Sequence, residues 1–474
     1  MNSFSLFIKD AKSTGTIVEI KSPYDGALVG KVEKADSAAL EKALKNAADS
    51  FENIMKTMPA WKRAEILYKV ADLMKEHHED LSQTIAQEGG KPLKDAKVEI
   101  TRAINTVRMS GNEALQMNGE QLTMDRAAGT ENHLAFTIRE PIGPVLAISA
   151  FNHPVNLICH QVATAFAAGN SVIVKPASQT PLSCLKLAKL FQEAGLPDGV
   201  LNVAIVGGAD TEQLVKDSRI RFITFIGSGK VGWEIEKTKH EGTRLSLEHG
   251  GTACAIVDSS ADIEKILPGL VRGSFYHAGQ VCVSTQNIYV HESKYEEVLS
   301  KMVEKAKLLK VGAATDEDTD IGPIISKKEQ ERILSWIQEA KAQGARIELG
   351  GNAVGDSCID ATILTSTSMK MKVMNAEVFG PVVNIIPFSD IEAVIKEINA
   401  TPFSFQAAVY AQDINTALNT AKKIDAKACI INDPSTFRVD WMPFGGAKES
   451  GLGVGGVRSS MHEMSQEKLI IVKL

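Results

Sequence analysis

Three side chains in this sequence have the chemistry to handle an acyl group: a thiol, a carboxylate and a carboxamide. Cys282 follows Gly279-Gln280-Val281 and lies between a helical segment, 266–275, and a β-prone run, 287–290. That context predicts a thiol on an exposed turn. The thiolate is the nucleophilic form, and a thiol with the ordinary pKa of about 8.5 is only a few per cent ionised at neutral pH. A Cys in an apolar stretch is otherwise inert packing. Glu248, in Leu247-Glu248-His249-Gly250-Gly251, is a general base if it faces that thiol and a turn cap if it does not. Asn152, in Phe151-Asn152-His153-Pro154, is either a donor to an oxyanion or a helix cap.

A second set of residues suits phosphate groups. Gly227, Gly229 and Gly232 spell G-x-G-x-x-G between a predicted strand, 221–226, and a predicted helix. Small residues there let a pyrophosphate approach backbone N–H groups at a helix start. Without that ligand the motif is a Gly-rich turn. Lys175, in Lys175-Pro176-Ala177-Ser178, closes a predicted strand, where α/β folds bind ligands; a solvated surface Lys is the alternative.

The elements that must position these residues follow from periodicity. The first third reads as helical after a short irregular start: 38–54, then 61–87 with Ile66, Val70, Leu73 and Met74 on one stripe, then 99–114. Alternation over 134–139 predicts a strand. From Pro144 short β-rich runs alternate with helical ones: 145–149 with 155–168, 171–174 with 182–194, 201–206 with 211–216, and 222–226 with 230–239. Such alternation indicates βαβ units and a parallel sheet. A second alternating region runs from about 253 to 428, then a Gly-rich loop, 443–456, and a β-prone tail, 468–474. No repeat or linker separates them, so interwoven domains are expected.

Composition narrows the functional classes. The 474 residues are 44% hydrophobic and 23% charged, with 58 acids against 52 bases, a net charge of −6 and a pI near 6.0. That balance argues against a general nucleic-acid binder. No two of the six cysteines form C-x-x-C, and no His-Glu pair is followed by the second His of a zinc-protease helix, so no metal site is expected. The first residues lack a basic start and long apolar stretch, and no apolar run approaches the ~20 residues that span a bilayer. A cytoplasmic enzyme with reduced thiols, without membrane association, is the expectation.

The set F-N-H-P, K-P-A, F-I-G-S, L-E-H-G-G, G-Q-V-C, E-V-F-G-P and P-F-G-G-A-K-x-S-G, in that order and over nearly the whole chain, resembles the aldehyde dehydrogenase superfamily. The resemblance implies an α/β fold with two Rossmann-type parallel-sheet domains and a small β oligomerisation element. A cofactor domain would comprise 1–118 and 141–247, a catalytic domain 248–446, and the oligomerisation element 119–140 with 455–474. It implies a homo-oligomer, dimer or tetramer, that oxidises an aldehyde to the acid with NAD or NADP. Cys282 would form the thioester, Glu248 would activate water, and Asn152 with the Cys282 N–H would hold the oxyanion. Lys175, Ser178, Gly227, Ser228, Gly232, Glu377 and Phe379 would bind the cofactor. The remaining cysteines, Cys159, Cys184, Cys254, Cys358 and Cys429, read as structural.

Two departures refine this. Relatives with a strong NAD preference often carry Glu after K-P-A; Ser178 removes that repulsion of a 2′-phosphate, so NADP is expected to be accepted. The stretch 432–444 resembles the branch acting on lactaldehyde, glyceraldehyde 3-phosphate, phosphonoacetaldehyde and sulfonated aldehydes. An anionic tail needs cationic donors, and Arg438, Arg108 and His160 are the candidates. Val281 stands where several phosphate- or phosphonate-using relatives carry Arg, which favours a small hydroxy- or sulfo-aldehyde. The alternatives are a CoA-acylating relative, which typically lacks the Glu248 carboxylate, and a thiol hydrolase, which would need a His such as His277 beside Cys282.

Overall fold

The computed structural model describes residues 2–474. The alternating stretch after Pro144 builds one sheet of six strands, in the order Gly451–Leu452, Arg244–Glu248, Phe222–Ile226, Val145–Ile148, Val172–Lys175, Leu201–Val203. All neighbours are parallel except Gly451–Leu452, which runs antiparallel to Arg244–Glu248. The chain adds strands on one side of Val145–Ile148 and then returns to its other side with Phe222–Ile226. Those two neighbours mark the switch point, and a crevice opens beyond their carboxyl ends.

A second sheet has seven strands, in the order Arg346–Leu349, Thr362–Thr365, Val382–Phe388, Thr285–His291, Ala253–Val257, Gln406–Tyr410, Ala428–Ile431. Only Arg346–Leu349 is antiparallel to its neighbour. The two sheets offer opposite ends to the space between them. Asn152, Gly227 and Glu248 come from carboxyl ends of the first; Cys282 stands at the entry to Thr285–His291 of the second. Separate apolar cores support them. Leu67, Val70, Ile100, Phe166 and Phe191 pack under the first sheet, and Leu270, Ile288, Met302, Ile333 and Ile385 under the second. Truncating one such side chain to Ala costs about 2–5 kcal/mol.

The carboxyl-terminal strand Ser465–Lys473 pairs antiparallel with His133–Pro141 over nine residues, and Gln121–Leu122 takes the other edge. This small sheet leaves Leu469, Ile471 and Leu474 exposed. No helix among the described residues is long and apolar enough to cross a membrane.

Three elements differ from expectation. The irregular start contains a three-stranded sheet: Leu28–Glu33 pairs with both Asn2–Phe4 and Ile17–Lys21. Ile17–Lys21 exposes most of its side chains, so its pattern carries little alternation. The helix read over 61–87 is two, Ala60–Glu76 and His78–Gly89, parted at His77 (φ −95°, ψ 18°). The helix after Asn152 carries a π turn over Cys159–Ala163, which shifts the register of His160 and Gln161.

Candidate active site

One cavity of about 1070 Å³ lies between the sheets and runs from Lys175, Ser178 and Lys230 to Cys282, Glu248 and Arg438. At its inner end the backbone is forced. His277 (φ 50°), Ala278 (φ 53°) and Gly279 (φ 69°) are three successive left-handed residues just before the thiol. Such non-Gly residues cost about 1–3 kcal/mol each and persist only where neighbours over-determine them. Here the neighbours are visible. A Cβ on Gly279 would stand 2.0 Å from the Gly380 carbonyl oxygen. The Gln280 amide donates to Pro323 O at 3.2 Å and accepts from the Ile325 N–H at 3.0 Å. Asn152 Nδ2 donates to Gln280 O at 3.0 Å, which ties the first sheet's loop to the second sheet's turn.

Glu99 fixes that loop from behind. It accepts from the Val155 and Asn156 N–H groups at 2.9 and 3.1 Å and from buried Lys91 at 2.5 Å. Cys282 is on a turn, closed by the Ser284 N–H to Val281 O at 2.9 Å, but half-buried in the cavity wall against Val281, Val283, Phe405 and Phe444 rather than exposed. Burial pushes its thiol up, Glu248 adds to that, and the Arg438 charge opposes both. The resting thiol is therefore protonated, and a base is required to ionise it. Glu248 ends the strand Arg244–Glu248 with one carboxylate oxygen buried and unpartnered. Burial raises its carboxyl and Arg438 lowers it.

The remaining cavity suits a dinucleotide. The helix Gly229–Thr238 opens at the cavity, with Gly227, Ser228, Lys230 and Val231 in its wall. A Cβ on Gly227 would meet the Phe225 ring at 2.7 Å. Lys175 Nζ, buried at the cavity wall, donates only to Pro176 O at 2.9 Å. Ser178 is exposed at the lip. Glu377 accepts from the Gly251 N–H at 3.2 Å, and burial lifts its carboxyl to about 7. Gly250 makes room for it, since a Cβ there would lie 1.5 Å from Glu377 Oε1. Phe379, left-handed at φ 51°, sets its ring at the edge of Phe151, 5.9 Å away. Backbone donors, a lysine, a ribose-sized carboxylate cradle and an aromatic wall occur along one crevice, which fits a nicotinamide dinucleotide.

Gly232 departs from its expected place. It does not line the cavity; a Cβ there would lie 2.0 Å from His249 Nε2, so this glycine accommodates the imidazole under the helix. The cationic residues also redistribute. Arg438 does line the cavity. Its guanidinium stacks 3.6 Å from the Phe444 ring centre, and its Nε is buried without a partner. Arg108 lies outside, paired with Asp72 at 2.6 Å on a solvated face. His160 sits one layer behind the wall, with Nε2 2.9 Å from Asp440 Oδ1, and burial pushes its imidazole down to about 4.

Arg102, which the sequence reading passed over, lines the cavity instead and is held by Asp440 through two hydrogen bonds, 2.8 and 3.2 Å. Arg102 and Arg108 share the helix Leu93–Ala114, but at about 100° per residue they fall on different faces. No such signal was available in the sequence: Arg102 lies one turn from Glu99 and Thr106, polar residues whose burial only the fold reveals.

Comparisons with known proteins agree with this geometry. Residues 8–470 match the aldehyde dehydrogenase family. The chain is 39% identical over 476 residues to the 3-sulfolactaldehyde dehydrogenase of Priestia aryabhattai, covering 100% of this chain and 99% of that one. Aldehyde dehydrogenase 21 from Physcomitrella patens, solved with its reaction product succinate, superposes with a TM-score of 0.97 at 33% identity, covering 100% of this chain and 98% of that one. The glyceraldehyde-3-phosphate dehydrogenase GapN of Methanocaldococcus jannaschii, complexed with NADP, gives a TM-score of 0.92 at 36% identity, covering 96% and 99%.

Proposed function

The chain belongs to the aldehyde dehydrogenase family and is an NAD(P)-dependent aldehyde oxidoreductase; from that premise we propose that it oxidises a short aldehyde with an anionic tail. The observation that carries this reading is Arg438. A half-buried guanidinium that lines the cavity and makes no hydrogen bond or ion pair to the protein has donors left for an acceptor in the cavity. Arg102 lines the same end. The 3-sulfolactaldehyde of one relative and the succinate of another structure are anionic at the end away from the reacting carbon.

In the proposed mechanism Cys282 attacks the aldehyde carbon after losing its proton to Glu248, whose unpartnered oxygen is free to accept it. One Asn152 N–H is spent on Gln280 O; the second, with the Cys282 N–H, receives the oxyanion. Each such donor is worth about 3 kcal/mol when held in place. NAD(P), when bound, supplies the hydride acceptor. Lys175 and Ser178 would hold its adenosine ribose, the start of Gly229–Thr238 its pyrophosphate, and Glu377 with Phe379 its nicotinamide end. Glu248 passes the thiol proton to solvent and, ionised again, activates water against the Cys282 thioester. His277, the histidine nearest Cys282 in sequence and the base a thiol-hydrolase reading would use, does not line the cavity.

Ser178 and Lys230 at the lip put no carboxylate against a 2′-phosphate at those positions, so NADP is accepted. The six-stranded sheet with its helices forms the cofactor domain and the seven-stranded sheet the catalytic one. The exposed apolar face of the small sheet mediates oligomerisation. The test of the substrate class is a panel of aldehydes ranked by kcat/KM, with Arg438→Ala and Arg102→Ala alongside. A loss of about 10–100-fold confined to anionic aldehydes is expected. If neutral aliphatic aldehydes rank first and neither change separates the two classes, the reading falls.

A further inference from the structure

Asp440 has more partners than any acid that could touch substrate, yet it touches none. It is 4% exposed. Its Oδ1 accepts from Arg102 Nη2 at 2.8 Å, from His160 Nε2 at 2.9 Å and from Asn156 Nδ2 at 3.2 Å, and its Oδ2 accepts from Arg102 Nε at 3.2 Å. Three of these donors crowd Oδ1 and one takes Oδ2. Thr106 in turn donates to Asn156 Oδ1 at 2.9 Å, so the carboxylate is braced from two helices. Arg102, Asn156 and Arg438 reach the cavity wall; Asp440 and His160 lie behind it.

The charges at this end of the cavity can be counted. Arg102 and Arg438 bring two positive charges and Asp440 one negative. His160 brings none, because burial holds its imidazole near 4. Arg102, Arg438 and Asp440 together leave one positive charge, and Glu248, close enough to act on Arg438, offsets it whenever it is ionised. A tail with a single negative charge balances the pocket when Glu248 is protonated, and in either state it leaves one charge fewer to compensate than a dianion does. A phosphate monoester, close to a dianion at neutral pH, leaves one negative charge uncompensated, where low dielectric makes that expensive.

We propose that Asp440 is a positioning and specificity-determining residue: it holds Arg102 in the cavity wall and subtracts one unit from the pocket's positive charge, so that the enzyme favours aldehydes bearing a carboxylate or sulfonate over those bearing a phosphate. The proposal rests on the anionic-tail reading above. Two predictions separate it from a merely structural role. Removing the Asp440 charge improves the dianion relative to the monoanion, whereas a structural defect weakens both. The change appears in KM rather than kcat.

The test measures kcat/KM of the wild-type holoenzyme and of Asp440→Asn on succinic semialdehyde, glyceraldehyde 3-phosphate and propionaldehyde, a monoanion, a dianion and a neutral reference. Asparagine keeps the volume and the Oδ1 acceptor. The wild-type enzyme is expected to prefer the monoanion, and Asp440→Asn to raise the dianion-to-monoanion ratio on the order of tenfold through KM. A wild-type preference for the dianion, or a ratio moved less than twofold by the substitution, overturns the proposal. Should Asp440→Asn fail to fold, Arg102→Gln, which subtracts one positive charge, is expected to lower the same ratio by a similar factor, and an unmoved ratio again overturns it. Propionaldehyde keeps the two readings apart. If Arg438→Ala weakens propionaldehyde and the anions alike, the anionic-tail reading fails; if it separates them while Asp440→Asn leaves the ratio alone, only the present proposal fails.

Discussion

The two ends of the cavity are built differently. At the thiol end the scaffold is braced by named partners, Asn152 on Gln280, Gln280 on Pro323 and Ile325, Arg102 on Asp440, and a strained turn at His277 and Ala278, while Glu248 and Arg438 keep an unpartnered atom each. At the far end Ser178 and Lys230 are exposed and Lys175 leans on a single carbonyl. Bond making needs donors held in place before charge develops, and that preorganisation is what the bracing supplies. A dinucleotide makes many contacts, so its grip can be spread over weaker ones. Changes to the reacting groups at the thiol end should therefore act on turnover and be large, changes to the Arg102–Asp440 pair beside them should act on KM for charged substrates, and changes at the far end should act on cofactor affinity and be small.

The largest expected effect is Cys282→Ser, with aldehyde oxidation falling about 10⁴-fold or more, read by NAD(P)H formation. Residual turnover within tenfold of wild type would remove the thioester route. Next comes Glu248→Gln, expected to slow steady-state turnover about 10²–10⁴-fold. A single burst of NAD(P)H formation should remain if the Cys282 proton can reach water instead. Because burial raises the Glu248 carboxyl, the wild-type rate should climb with pH through a value above the usual carboxylate range, since the base works only when ionised. Glu248→Gln should flatten that limb and Glu377→Gln, also buried, should not; a flat wild-type profile would contradict the assignment.

Gly232→Ala tests the packing of the helix Gly229–Thr238 against His249, behind the cavity wall. The added Cβ must displace the His249 ring, so a loss of about 1–3 kcal/mol in stability is expected, seen as a lower Tm. If Tm holds while cofactor KM rises sharply, the glycine serves the pyrophosphate after all. The smallest effect belongs to Ser178→Glu, expected to shift the NADP-to-NAD ratio of kcat/KM about tenfold toward NAD with little change in kcat. A kcat effect rivalling that of Glu248→Gln would break the contrast between the two ends.

Much of this was legible in one dimension, for identifiable reasons. The strand Phe222–Ile226 and the helix after it sit within a residue of where periodicity put them, because βαβ units are local and bury continuous apolar runs. The motifs around Asn152, Glu248 and Cys282 were readable as chemistry because few other jobs need those residue types beside such turns. Side-chain type and spacing thus determined the α/β class, the family resemblance and the residues with reactive groups. Only the tertiary structure decided which neighbours those residues meet. Arg102 and Asp440 are 338 positions apart, and His160 and Asp440 are 280 apart. Gly232 follows the dinucleotide spacing, yet the imbalance of space that requires it comes from His249 on a different element. Periodicity reports which face of an element is buried, not what stands opposite it, and packing is settled by contacts between segments that are distant along the chain.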